Sequence, residues 1–387
     1  MQMIQTHLRF YLESVMKIRP FQIERFYAQY EFSAPYLLSQ SDCEAMSIGE
    51  VLALEPGAAE KFQNQWLGYT ESQGSPELRQ GITTIYKTIK PEDVLVFSGA
   101  EEGIFTFMNV VLEAGDHIIV HTPCYQSLHE IARAVGCEVS DWVTSDEDNW
   151  ELDVDWLAAN IRPNTKAIVV NCPHNPTGYL MSAEKQMQII ELARKQGIWL
   201  FSDEVYRGLE HNPADRLPAA CDLYEKAVSL GVMSKTYGLP GLRIGWLVTR
   251  DRELFKQMAA FKDYTTICNS APSEFLSVVA LWHRDRIVER NLNIIRANLD
   301  LLDLFFAQLK DVFVWQRPRA SSTAFPRLRE GISAQAFCIG AVEQKGVLLL
   351  PSSNYDYGDS HFRIGYGRKN MAQALEQFEI FLDTLIT

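Results

Sequence analysis

Lys235 and Arg243 share one glycine-rich turn, Val232 to Gly245, between two apolar stretches. Glycine and proline in such a turn let backbone approach a ligand closely, and a lysine in a dry pocket can lose its charge and act as a nucleophilic amine. A Ser-Lys pair in a turn is equally the ordinary pattern of a solvated charge. A Walker phosphate loop needs glycine directly before its lysine, and Ser234 stands there. Gly238, Gly241 and Gly245 lack the spacing of a dinucleotide-binding turn. Four other groups could join this amine. Ser98-Gly99-Ala100-Glu101-Glu102-Gly103 offers small residues opening a helix, whose free N–H groups suit a phosphate or simply make a strand-to-helix turn. Tyr125 could stack on a flat ring or pack against its own helix. Asn175 lies in a loop stiffened by two X-Pro steps, Asn171 to Gly178, and has an amide able to donate. Asp203 follows the apolar run Ile198 to Phe201, where an unpaired charge is costly, so it caps a helix or meets a cofactor.

Each of these groups directly follows a run that reads as a strand. Val94 to Phe97, His117 to His121, Ala167 to Asn171, Ile198 to Ser202, Ala227 to Leu230 and Ile244 to Val248 alternate with helical stretches such as Glu102 to Leu112 and Glu184 to Lys195. The fold class is therefore α/β, with a mostly parallel sheet covered by helices and a site at the carboxyl ends of its strands. Arg284 to Leu309 predicts a long amphipathic helix. Phe313 to Trp315, Val347 to Leu350 and Phe362 to Tyr366 read as strands beyond it, and Met371 to Leu385 as a closing helix. Leu8 to Met16 and Phe21 to Tyr30 predict short helices in an N-terminal arm, and Phe32 to Ser47 reads as irregular.

At 387 residues, one large and one smaller domain are expected, and 47% hydrophobic content rules out disorder. A formal charge of -13 argues against nucleic acid as a partner and favours small molecules. Seven cysteines without a C-x-x-C pair fit neither a disulfide framework nor a zinc knuckle, so no metal is expected and a reducing compartment is. His7, Arg9, Glu13, Lys17 and Arg19 interrupt the N-terminal apolar residues, and no stretch is long enough to span a bilayer. The expectation is a cytoplasmic protein with no membrane partner.

Taken in order, cradle, aromatic, amide, acid, lysine and arginine at successive strand ends resemble the class I/II aminotransferases, fold-type I enzymes that use pyridoxal 5'-phosphate. The resemblance covers roughly Tyr69 to Gly367. It is carried by Tyr69, Gly74 and Leu78-Arg79, by Asn175-Pro176-Thr177-Gly178 and Asp203-Glu204-Val205-Tyr206, and by Ser234-Lys235 with Arg243 and Gly245, and Phe362-Arg363-Ile364. It implies a seven-stranded sheet in a large domain at 48–283, a small domain at 284–387, and an arm at 1–47 that contributes to the small domain. It further implies that Lys235 holds the cofactor as a Schiff base and then moves the proton at the substrate's Cα. Asp203 would pair with the pyridine nitrogen, and Tyr206 and Asn175 would bond the ring's 3'-oxygen while Tyr125 stacks on its face. Arg243, Ser234 and the backbone of Ala100 and Glu101 would hold the phosphate. Tyr69 would reach a phosphate across a homodimer interface, and Arg363, with Asn175, would take the substrate α-carboxylate. The implied substrates are an α-amino acid and a 2-oxo acid.

Three positions depart from that pattern. Val232 replaces a hydroxyl residue common three before the lysine, Leu38-Ser39-Gln40-Ser41-Asp42-Cys43 replaces a frequent Gly-Glu-Pro, and Ser321-Ser322-Thr323-Ala324-Phe325 replaces a glycine-bearing strand entry. Relatives on this scaffold also run elimination or cyclisation, and the capreomycidine synthase branch, which cyclises an arginine derivative, is similar in loop style. A lyase or cyclase is therefore the alternative to transamination. A ligand-sensing module of a transcription regulator is more distant, because the arm before Tyr69 is short for a winged helix and the charge is wrong for DNA.

Overall fold

The computed structural model describes residues 17–386; the helix expected at Leu8 to Met16 lies outside them. Runs that are apolar on both faces take the centre of the molecule, since a strand without a polar side has no face to give to water. Seven strands form one sheet: β1 (Val94–Phe97), β2 (His117–Thr122), β3 (Glu138–Val143), β4 (Thr165–Asn171), β5 (Trp199–Asp203), β6 (Ala227–Val232) and β7 (Gly245–Val248). Their order is β1-β7-β6-β5-β4-β2-β3, and all are parallel except β7, which runs antiparallel to β1 and β6. The six expected strands are present to within two residues at each end. β3 has no counterpart in the sequence reading because it is an edge strand whose Glu138, Asp141 and Val143 face solvent, so it has no apolar run.

Alternate side chains of the sheet feed opposite faces. Ile118 and Val120 join Ile104, Phe107, Leu128 and Ile131 from the helices Ala100–Val111 and Ser127–Val135. Ile119 and Ile168 turn the other way, to Ile189 and Ile190 of the helix Ala183–Gln196. Beyond the sheet, the helix Arg284–Gln308 carries Ile295, Leu299, Leu302 and Phe306 into a cluster with Phe313, Phe337, Phe362 and Phe378. There β8 (Phe313–Val314) pairs with β10 (Arg327–Leu328), and β12 (Phe362–Gly365) lies between β9 (Thr323–Ala324) and β11 (Leu350–Pro351). Val347 makes only an isolated bridge, to Tyr36, so the strand expected from Val347 begins at Leu350. The first helix of the described residues is Gln22–Tyr30.

The antiparallel β7 matters for position. Residues that precede it arrive at the same sheet edge as residues that follow the parallel strands, as the pairings Val232↔Gly245, Phe97↔Gly245 and Asn171↔Asp203 require.

Candidate active site

An anion cradle forms where β1 and β7 meet. Gly99, at φ 88°, precedes the helix Ala100–Val111, and a Cβ on it would lie 2.5 Å from an Arg243 Nη atom. A Cβ on Gly245 would lie 2.6 Å from the Gly99 carbonyl carbon and 2.7 Å from the Ala100 nitrogen. Two glycines thus let the Arg243 guanidinium sit beside free helix N–H groups, both suited to an anion. Arg243 itself occupies the left-handed region at φ 52°, a conformation a non-glycine residue holds only when its surroundings impose it. Of its donors, Nη1 meets the Pro240 carbonyl at 3.3 Å.

Next to the cradle, Ala100, Glu101, Tyr125, Asn171, Asn175, Asp203, Tyr206, Val232, Ser234, Lys235 and Arg243 line one cavity of about 490 Å³. Asp203 ends β5 buried, and its carboxylate accepts from the Val205 N–H at 3.2 Å, closing a turn in place of a helix cap. Burial raises this carboxyl to about 7, against Val205 and Lys235. Burial also pushes the Lys235 amine below the usual lysine value; Asp42 opposes this and Arg363 adds to it. Lys235 Nζ donates to the Ser41 hydroxyl at 2.8 Å. Among the described residues, Tyr206 Oη and Glu101 Oε2 are buried without a hydrogen-bond partner. Burial lifts the Glu101 carboxyl to about 7, with Ser127 lowering it and Glu24 raising it.

The Asn175 loop is held from inside. Asn175 N donates to Asn171 Oδ1 at 2.7 Å, Gly178 N to the His174 carbonyl at 2.8 Å, and His174 stacks on His121 at 3.9 Å. Tyr125 donates to Glu24 at 3.0 Å and packs on Phe21, so the arm helix closes one side of the cavity. Glu24, Phe21 and Ser41 belong to the lining; Glu24 and Phe21 were not singled out from the sequence and Ser41 only within the divergent segment Leu38 to Cys43, because their partners lie about a hundred residues or more away in the chain.

Two expected site residues fall outside that lining, Arg363 directly behind it through Asn175. Arg363, on β12, is buried and outside the lining. It donates to the Ser39 carbonyl through Nε (3.0 Å) and Nη2 (2.7 Å), to Asn175 Oδ1 (3.0 Å), and to the hydroxyls of Tyr355 (2.6 Å) and Tyr27. Tyr69 is 90% exposed and lines a separate open groove with Leu67, Thr266, Cys268 and Asn269.

Residues 38–378 match the family Aminotransferase class I and II. The chain belongs to this family. Among similar proteins, the capreomycidine synthase of Streptomyces vinaceus is 28% identical over 87% of this chain and 86% of its own length. The aspartate aminotransferase of Pyrococcus horikoshii is 25% identical, over 85% and 87%. A PLP-dependent aminotransferase from Streptococcus suis superposes with a TM-score of 0.90 at 31% identity, covering 95% of this chain and 99% of that one. The PLP-dependent cyclase OrfR gives 0.88 at 28%, covering 95% and 98%.

Class I and II aminotransferases use pyridoxal 5'-phosphate, and the cavity fits that group on its own terms. The cradle offers N–H groups and a guanidinium to a phosphate, and among the described residues the buried Asp203 carboxylate has no ion-pair partner and the buried Tyr206 hydroxyl no hydrogen-bond partner. Val232 lines the cavity with an apolar side chain, so the hydroxyl nearest to it in the turn is that of Ser234.

Proposed function

We propose that this protein is a pyridoxal-phosphate aminotransferase that moves the amino group of an α-amino acid to a 2-oxo acid through Lys235. The convergence of Lys235, Asp203 and Arg243 on one cavity carries this reading. The cofactor, when bound, supplies an electron sink for the electrons left on the substrate's Cα. Lys235 would be the amine that bears it and afterwards takes and returns the Cα proton, and burial lowers that amine in the direction such a role needs. Asp203 would hold the ring nitrogen protonated, Tyr206 and Asn175 would bond the 3'-oxygen, and Tyr125 would lie against the ring face. Arg243, Ser234 and the backbone of Ala100 and Glu101 would hold the phosphate. Arg363 would take the α-carboxylate in exchange for its hydroxyl partners Tyr27 and Tyr355, which swing aside more readily than the Ser39 backbone.

A homodimer in which Tyr69 serves the partner's site fits the exposure of Tyr69. The division into an arm at 1–47, a cofactor-binding part at 48–283 and a C-terminal part at 284–387 follows the sheet and the long helix. Seven free cysteines agree with a reducing, cytoplasmic setting. The test is a half-reaction: an amino donor alone should convert the visible cofactor band to the amine form, a 2-oxo acid should restore it, and Lys235→Ala should abolish turnover. Full turnover by Lys235→Ala would sink the reading.

Similarity to a capreomycidine synthase and to the cyclase OrfR favours a second reading, a cyclase or lyase on the same cofactor. It predicts that a donor is consumed catalytically with no 2-oxo acid present. A stoichiometric stop at the amine form excludes it.

A further inference from the structure

The two segments that depart from the family pattern meet beside Lys235. Ser322 Oγ donates to the Ser41 carbonyl at 2.8 Å, and the Ser41 hydroxyl accepts from Lys235 Nζ at 2.8 Å. Both serines are buried. The strip that carries Ser41 is fixed along its length. Gly365 N donates to the Leu38 carbonyl at 2.6 Å, Arg363 to Ser39, and Glu44 N to the Gly367 carbonyl at 2.8 Å. A Cβ on Gly365 would lie 1.7 Å from the Gln40 carbonyl oxygen, and one on Gly367 2.4 Å from that of Asp42, so two glycines keep the backbones in contact. Asp42 is turned to Arg368, whose Nη2 lies 2.9 Å from both carboxylate oxygens. What faces the amine is therefore a hydroxyl with a carboxylate held aside.

We propose that Ser41 is a positioning residue for Lys235, set to hold its amine in both protonation states. A hydroxyl accepts from an ammonium and donates to a neutral amine, whereas a carboxylate partners only the ammonium and a methyl group neither. An amine that carries a cofactor, leaves it and then takes and returns a proton passes through both states, and a four-carbon stem needs a partner in each to stay aimed. No bond forms to Ser41. The proposal rests on Lys235 being the cofactor-bearing amine. The charges that also bear on Lys235 are Asp42, Glu24 and Asp203, which favour the ammonium, and Arg363, which opposes it.

Ser41→Ala, Ser41→Gly and Ser41→Thr test the proposal in two ways. In apoprotein, the pH midpoint for acetylation of Lys235, followed by peptide mass spectrometry, should fall by about 0.5–1 unit in the Ala and Gly variants and stay put in Thr, because a charge-assisted hydrogen bond to the ammonium is lost. In holoenzyme, the Ala variant should lose about tenfold in kcat with KM for the donor within about twofold, and Thr should recover most of it. An unmoved midpoint in whichever of the Ala and Gly variants melts like wild type overturns the proposal, as does a Thr variant as impaired as Ala. Cofactor retained in Lys235→Ala with an unchanged visible band would instead overturn the assignment of Lys235, an outcome the labelling midpoint does not depend on.

Discussion

Asp203 carries a pH signature at the residue scale. Its carboxyl titrates near 7 in the folded chain, far above the value of 3.8 it has when unfolded, because burial disfavours the charge and a single backbone N–H meets it. A raised acid pKa stabilises the fold while the proton is on, and that contribution is lost as pH rises through about 7. Asp203→Asn apoprotein should therefore gain on wild type between pH 4 and pH 8, by on the order of 4 kcal/mol at the upper end. Urea unfolding at both pH values measures it, and cofactor should reverse the ranking by supplying wild type with a cation. Tyr206→Phe should behave differently. Its hydroxyl makes no hydrogen bond among the described residues, so its removal should leave apoprotein stability unchanged or higher while cofactor dissociation rises about tenfold, ~1.4 kcal/mol, by fluorescence titration. Lys235, Asp203, Asn175 and Arg243 could be picked out in the sequence because each lies within four residues of a strand end. Ser41 stood out only as part of the divergent segment Leu38 to Cys43 and not as a partner of the lysine, since its bond to Lys235 spans 194 positions.

At the scale of elements, the site depends on backbones that touch. β7 is the one antiparallel strand in the sheet, and its first residue, Gly245, lies against Gly99 and Ala100 at distances no side chain tolerates. Gly245→Ala should push the start of the helix Ala100–Val111 off the cradle. Inorganic phosphate and cofactor should then bind at least tenfold more weakly by calorimetry, a larger effect than the loss in unfolding stability, because the displaced N–H groups are those aimed at the anion. The parallel strands were legible because their burial on both faces makes them continuous apolar runs. β3 was illegible because an edge strand needs no such run, and β9 and β10 because their residues, Thr323-Ala324 and Arg327-Leu328, form no β-rich apolar run.

At the scale of the whole molecule, the chain leaves a surface that one copy does not cover. Trp66, Leu67 and Tyr69 are 79%, 78% and 90% exposed, and Tyr264 in the turn after the helix Arg252–Lys262 is 92% exposed. Leu67 and Tyr69 line the same open groove as residues Thr266 to Pro272. Large exposed side chains gathered around one groove are the pattern of a contact surface, which supports the proposed homodimer. A symmetric pair would place Tyr69 of each copy by the other's cradle, so one site would draw Lys235 and Arg243 from one chain and Tyr69 from its partner. Subunit mixing tests that geometry directly. Tyr69→Ala and Lys235→Ala proteins should each be impaired alone, Lys235→Ala fully. A mixed dimer, however, carries both substitutions in one site and neither in the other. Co-refolding the two proteins in equal amounts yields about half mixed dimers if pairing is random, each with one intact site, so activity should rise to roughly a quarter of wild type. A mixture no more active than the average of its components, in a preparation that sediments as a dimer, would place Tyr69 in its own chain's site or in none.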